Sequence, residues 1–290
     1  MRLIIIGASG LIGSCLSTVA RQAGHKVIGT FTARPVAGLV KFDLRTQTLF
    51  ELVPDLGSSD VVYLLSGYSN PAWIFSNAAA ANELNVVAMK KAIDEINRTK
   101  ARLIFMSSVE VFDGKTGNYH EDSSPKPLNL YGQMKFEIEK YVDTTSEWGC
   151  IVRTGWNVGW DTYHRCVVKL TYDTLLGADA RMANDNTFSI SDVHDTAAGL
   201  LWLAGKPQLR KFHLASSPYL VRTKLAEIII ASSAYGSRMN YKSVTFAEIT
   251  YSEPRARLNH LNNHLAIQSG MTFREPLKII QEKVRLLDLP

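Results

Sequence analysis

The first thirteen residues constrain the fold of this chain more than any other feature. An Ile-rich apolar run at residues 3–6 suits a strand buried on both faces, and it ends at once in Gly7-Ala8-Ser9-Gly10-Leu11-Ile12-Gly13. Apolar residues at helical spacing run from 11 to 22, and Gly24 marks the stop. Glycine supplies the tight turn and lets the backbone approach a pyrophosphate, while the helix start offers free N–H groups and the positive end of its dipole. A glycine turn after a strand is common on its own. The strand before it and the helix after it are the context that a dinucleotide-binding loop requires. Gly7, Ser9, Gly10, Leu11, Ile12 and Gly13 are therefore the expected phosphate-side contacts.

The rhythm that follows supports this. Strands are expected at 26–30, 39–42, 61–65, 102–106 and 150–153, with helices at 72–98 and 129–146. Strands alternating with helices imply βαβ units, a parallel sheet and helices on both faces. The fold class is thus α/β, a doubly wound parallel sheet of the Rossmann kind. Beyond Trp156 the elements shorten: helices at 163–176, 193–204, 223–235 and 273–287, strands at 187–191 and 211–214. Residues 1–155 read as the dinucleotide-binding domain, and 156–290 as a smaller α+β substrate lobe interleaved with it.

An acid at the end of the second strand would hold a ribose 2′-OH and select NAD. The stretch Gly29-Thr30-Phe31-Thr32-Ala33-Arg34 has none. Thr30 and Thr32 bring hydroxyls and Arg34 a cation for a 2′-phosphate, so NADP (as NADPH) is expected and NAD is disfavoured. The plainer reading of Arg34 is a solvated loop cation. Asp43, with Leu44 beside it, is placed to accept from an adenine amino group, or else to cap the next helix.

Tyr131 and Lys135 are four positions apart on an expected helix and share one face. An ammonium beside a phenol lowers the phenol's pKa, and such a tyrosine can hand a proton to a carbonyl oxygen as hydride reaches carbon. Ser107-Ser108 end the fifth strand, where ligands bind in open α/β sheets, and a serine there can hold a developing oxyanion. Tyr-x-x-x-Lys alone is often a solvent-facing pair. Phosphate loop, strand-end serine and Tyr-Lys in that order make Ser108, Tyr131 and Lys135 the expected catalytic set.

Composition closes off other classes. The chain has 290 residues, 46% hydrophobic and 20% charged, with a net charge of +5 spread without a dense basic run, so no nucleic-acid partner is expected. Cys15, Cys150 and Cys166 form neither a metal spacing nor an even disulfide framework, and the seven histidines show no ligand spacing, so no metal site is expected. The N-terminal apolar run is too short for a signal-peptide core, and no stretch approaches the roughly 20 apolar residues of a membrane helix. A cytoplasmic protein with no membrane partner is the expectation.

Several blocks resemble the extended short-chain dehydrogenase/reductases, and within them the dTDP-4-dehydrorhamnose reductase group. The turn has the G-x-x-G-x-x-G spacing of that family. Ser107-Ser108-Val109-Glu110-Val111-Phe112-Asp113-Gly114 is similar to S-T-D-Y-V-F-D-G, residues 127–135 (PLNLYGQMK) to P-x-N-x-Y-G-x-S-K, and Arg153-Thr154-Gly155-Trp156-Asn157-Val158-Gly159 to R-T-S-W-V-Y-G. Arg255-Ala256-Arg257-Leu258-Asn259 loosely follows R-P-R-N. The resemblance implies Tyr131 as general acid, Lys135 as its partner and a ribose contact, and Ser108 in the catalytic Ser/Thr position. It also implies Ser66, Gly67 and Asn85 at the cofactor, with Tyr68 on the substrate side. The implied substrate is a nucleotide sugar carrying a 4-keto-6-deoxy group, and the implied assembly a homodimer through the helices around 72–98 and 129–146.

For the substrate, Trp156 and Trp160 are candidates for a stacking wall or for lobe packing, and Arg165, Lys169 and Arg257 for a diphosphate grip or for solvated cations. His194 and Asp195 stand at a helix start, where Asp fits a dipole role. Departures from the family blocks, Val109 and Glu110 above all, leave two other functions open. One is a non-catalytic NADP-binding regulatory subunit, since the family includes a regulatory subunit of methionine adenosyltransferase with the same P-L-N-L-Y-G stretch. The other is an NAD-dependent sugar-nucleotide epimerase or dehydratase. Against the latter stand the missing acid near Thr30 and Val109 beside the serine, with Glu110 expected to point elsewhere on an extended segment.

Overall fold

Strand β1 (Arg2–Ile6) sits inside the sheet, and its side chains divide by parity, as a strand covered on both faces requires. Leu3 and Ile5 join one core with Leu16, Ala20, Leu200 and Leu203; Ile4 and Ile6 join another with Ile93, Ile96, Ile138 and Val142. The computed structural model describes residues 1–160 and 166–289.

In chain order, β1 leads through α1 (Leu11–Gln22) to β2 (Lys26–Phe31), β3 (Val40–Lys41), the short α2 (Leu49–Leu52) and β4 (Asp60–Leu64). Next come α3 (Pro71–Ser76), α4 (Ala78–Asn82), a π-helical segment (Glu83–Ala88) and α5 (Met89–Thr99), then β5 (Arg102–Met106), α6 (Leu130–Thr145) and β6 (Gly149–Thr154). The second half supplies β7 (Trp156–Val158), α7 (Val167–Leu175), β8 (Arg181–Ala183), β9 (Thr187–Phe188), β10 (Ile190–Asp192), α8 (Val193–Ala204) and β11 (Lys211–Leu214). It closes with β12 (Leu220–Val221), α9 (Arg222–Ser232), β13 (Lys242–Val244), β14 (Leu258–Asn259), α10 (His264–Gln268) and α11 (Pro276–Leu287).

The main sheet has seven strands in the order β11-β6-β5-β4-β1-β2-β3, all parallel. The chain is thus a Rossmann-like α/β fold. Helix α1 packs with α8 on one face, and α5 with α6 on the other. The second half does not stand apart: β11 pairs with β6, and α8 covers the sheet beside α1. Arg102 stitches this return, its guanidinium donating to the carbonyls of Trp148, Lys206, Pro207 and Leu209. Helices α7, α9 and α11 enclose a further core of Val167, Val168, Leu175, Leu225, Ile229, Ile280 and Val284.

Three expectations need correction. The helix expected over 72–98 is broken: Asn77 turns its amide back onto the Trp73 carbonyl at 2.8 Å and leaves helical geometry, and the segment then widens into a π turn. The strand expected over 187–191 is two strands, β9 pairing with β12 and β14, and β10 with β7. The helix expected from 163 is α7, described from Val167; residues 163–165 lie outside the described residues. Among the described residues no helix is long and apolar enough to cross a membrane.

Candidate active site

The carboxyl ends of β1, β4, β5 and β6 open onto a cavity of about 430 Å³. One wall is the glycine turn, with Gly7, Gly10, Leu11, Ile12 and Gly13 facing the space. A Cβ on Gly13 would lie 2.2 Å from the Gly7 carbonyl oxygen, so only glycine lets α1 seat directly on the turn. Helix α1 begins there without a side-chain cap, and its first amides face a site suited to phosphate.

The expected cofactor residues separate into groups. Ser66, Gly67 and Tyr68 line the cavity, with Ser69 beside them. Asn85 does not. Buried in the π turn, it accepts from the Tyr68 amide and donates to the Tyr68 carbonyl, both at 2.9 Å, and so holds the loop that lines the site. Ser9 is exposed at the turn, its amide bound to the Thr30 carbonyl. Thr30 is buried, and its hydroxyl accepts from the Gly7 amide at 3.1 Å and donates to Ile5; it ties the turn to β2. Thr32 donates to the Phe42 carbonyl, and Arg34 is exposed beyond β2. Leu44 packs into the core. Asp43 binds Arg45 at 2.6 Å, and this contact holds its carboxyl below the usual range. Arg45, missed in the sequence, is therefore a second cation near the end of β2.

The catalytic set comes together at the foot of the cavity. Asn129 caps α6, its side chain accepting from the Gly132 amide at 2.9 Å, and this fixes the helix that carries Tyr131 and Lys135. Ser108 and Tyr131 line the same cavity, where the Ser108 side chain opposes the effect of burial on the phenol; Ser108 Oγ accepts from the Glu110 amide at 3.2 Å. Lys135 donates to the Met106 carbonyl at 2.9 Å, and its ammonium lies 5.9 Å from the centre of the Tyr131 ring. The lysine does not make the phenol acidic here: burial pushes Tyr131 up to about 12. Burial also pushes Lys135 down to about 8, opposed by the charge of Glu139 one turn further on. Glu139 is itself buried, paired with Arg153 at 2.7 Å and accepting from Ser107 at 2.5 Å.

Glu110 differs most from the sequence reading. Val109–Val111 is a 3-10 turn, not an extended segment, so side chains do not alternate across it, and Glu110 faces the cavity. A second cavity of about 370 Å³ adjoins the first, with Ser69, Pro71, Glu110, Trp156, Arg255 and Asn259 common to both. Its far side carries Arg222, half-buried, 4.5 Å over the Phe188 ring and pushed down to about 10 by burial. Among the described residues no ion pair engages Arg222.

Trp156 lines both spaces and also packs against the lobe core. Trp160 packs in the lobe and donates to Asp192 at 3.2 Å. Arg257 lines neither cavity and lies 3.5 Å from Asp185, while Arg255 faces both cavities; the chain bends at residue 257 before β14, so the two side chains do not share a face. Lys169 pairs with Asp173 on its own helix, and Arg165 lies outside the described residues. Arg222 and Asn186 carried no sequence signal. Arg255 and Asn259 sat at the two ends of the loosely matched R-A-R-L-N segment.

Comparison with known proteins places this arrangement. The family model described as RmlD substrate binding domain matches residues 1–284. Methionine adenosyltransferase 2 subunit beta of Xenopus tropicalis is 31% identical over 152 residues, 52% of this chain and 46% of that protein. The chain thus spans about half the length of the first relatives it matches. dTDP-4-dehydrorhamnose reductase of Mycobacterium tuberculosis is 24% identical over 277 residues, 93% of this chain and 88% of that one. Among solved structures, a dTDP-4-dehydrorhamnose reductase from Clostridium acetobutylicum superposes with a TM-score of 0.84 at 20% identity, covering 100% of both chains. The Bacillus anthracis enzyme in complex with NADP gives 0.77 at 17%, covering 97% and 96%. MoeE5 in complex with UDP-glucose and NAD gives 0.77 at 16%, covering 99% and 98%.

Proposed function

Since the chain belongs to the RmlD substrate binding domain family of extended short-chain dehydrogenase/reductases, we propose that it reduces a carbonyl on a nucleotide sugar, with NADPH as the reductant and a 4-keto-6-deoxy sugar as the substrate class. The observation that carries this is that Ser108, Tyr131 and, one helical turn on, Lys135 line one cavity together with the glycine turn. The glycine turn, the uncapped start of α1 and the Ser66–Tyr68 loop fit a dinucleotide. Arg34 stands exposed beyond β2, where the strand ends without an acid, and this favours NADP over NAD; the charge of Arg45 is already matched by Asp43.

When bound, the nicotinamide supplies hydride to the carbonyl carbon. Ser108 holds the carbonyl oxygen, and Tyr131, neutral because it is buried, gives its proton to that oxygen as charge develops. Lys135, held by the Met106 carbonyl beside the Tyr131 ring, would hold the ribose of the cofactor. Arg222 offers positive charge to a diphosphate in the adjoining cavity, beside Arg255 in its ion pair with Glu253, with Trp156 as an apolar wall. Exposed Trp73, Phe75 and Val87 on the helices after β4 fit a homodimer face, which light scattering of the purified protein tests.

The deciding assay is NADPH consumption with dTDP-4-keto-6-deoxyhexose beside a Tyr131→Phe control. Turnover in wild type that falls by at least about a hundredfold in the control supports the reading; no turnover despite NADPH binding overturns it. A second reading, a regulatory subunit, draws on the methionine adenosyltransferase beta relatives and on Val109 beside Ser108. Stable co-purification with a catalytic partner, without turnover, would favour it.

A further inference from the structure

Glu110 stands on the wall that the two cavities share. Its Oε2 accepts from Asn129 Nδ2 and its Oε1 from Asn259 Nδ2, each at 2.8 Å. Asn129 has nothing further to give: its amide also donates to the Pro254 carbonyl at 3.2 Å, and its oxygen takes the Gly132 amide. The turn cannot swing away, because a Cβ on Gly132 would lie only 2.1 Å from the Glu110 carbonyl oxygen, so α6 rests on it directly. Asn259 is 7% exposed; it lines both cavities through the rest of its side chain, while its Oδ1 is fully buried and has no hydrogen-bond partner among the described residues.

A carboxylate has about four acceptor positions, and here two are filled. The lone pairs that remain on Glu110 put an acceptor edge on the wall that the two cavities share. Such a wall is satisfied by a ligand that brings O–H donors, and it penalises one that does not, because its buried acceptors then stay unpaired. Tyr131 lies close enough to feel the charge of Glu110, so the wall sits beside the reacting carbonyl.

We propose that Glu110, fixed by the Asn129 and Asn259 amides, is an acceptor clamp that reads hydroxyl groups on the sugar ring, next to the carbonyl that Tyr131 protonates. This rests on the nucleotide-sugar reading above. Charge-assisted O–H donation to a held carboxylate is strong and directional, so the clamp selects which ring position faces the nicotinamide side.

The test is calorimetric binding of dTDP-rhamnose and of dTDP, each with NADP present, to wild type and to Glu110→Gln. Wild type is expected to prefer dTDP-rhamnose by about tenfold or more, and Glu110→Gln to erase most of that preference while dTDP and NADP affinities hold. Retained NADP binding reports an intact fold. If that variant does not fold, Asn259→Ser, which removes the amide that holds the Glu110 carboxylate, gives the same readout. An unchanged preference overturns the clamp and leaves the nucleotide-sugar reading standing. Failure of wild type to bind either nucleotide, with NADP still bound, overturns both.

Discussion

Tyr131 and Lys135 show how burial sets the working protonation states. Lys135 is pushed down to about 8 in the folded chain against an ordinary 10.5. Its ammonium is present below about pH 8 and lost as pH rises through that value, so kcat/KM for carbonyl reduction should fall above pH 8 while Tyr131, pushed up to about 12, keeps its proton. Stability moves the other way. Between pH 8 and 10.5 the unfolded chain holds more protons on Lys135 than the folded one, so this group's contribution to stability increases with pH across that window, by about 3 kcal/mol in all. Lys135→Met should abolish that rise, which urea midpoints at pH 8 and pH 10 would show. Beneath the pair, Glu139→Gln leaves the Arg153 charge buried without its partner and should cost about 3–5 kcal/mol in urea unfolding. Spacing along a helix made the Tyr–Lys pair legible in the sequence. Glu110 was not legible, because whether a residue after a strand continues extended or enters a 3-10 turn depends on what packs against it, here Gly132 and Asn129.

At the scale of elements, the strongest periodicities translated directly. The bounds expected at 11–22, 102–106, 193–204 and 211–214 are those observed for α1, β5, α8 and β11, since each is an apolar stripe or run between clear stops. Two-residue strands such as β9, β12 and β14 carry no pattern of their own, and their pairing is imposed by the segments around them. The π turn is a third case, in which an apparently continuous helix is reshaped to deliver one amide to one peptide. Asn85→Ala removes both bonds to Tyr68, and it should weaken NADPH binding by about tenfold with little change in helix content. Fluorescence titration with NADPH beside circular dichroism separates these effects. An unchanged affinity would mean that the Ser66–Tyr68 loop keeps its shape unaided.

Over the whole molecule, β11 and α8 bind the second half into the first. The sheet core and the α7–α9–α11 core should therefore melt together. Ile229→Ala, in the lobe, should lower the single transition by about 2–5 kcal/mol rather than split it, and calorimetry would show one peak. Two resolved peaks would contradict this. The overall α/β class was readable because a parallel sheet writes buried runs between helices. The substrate side was not, since its cavity draws residues from positions 69 to 259 that meet only after the chain has crossed between layers. That crossing bears on how such a protein diversifies. A recombination event exchanging residues 156–290 for a relative's would bring in an edge strand and a helix of the dinucleotide layer, and would replace three of the four carbonyls that Arg102 engages, those of Lys206, Pro207 and Leu209. New substrate range is therefore reached by point changes on the cavity wall, position by position, rather than by trading the lobe as a cassette.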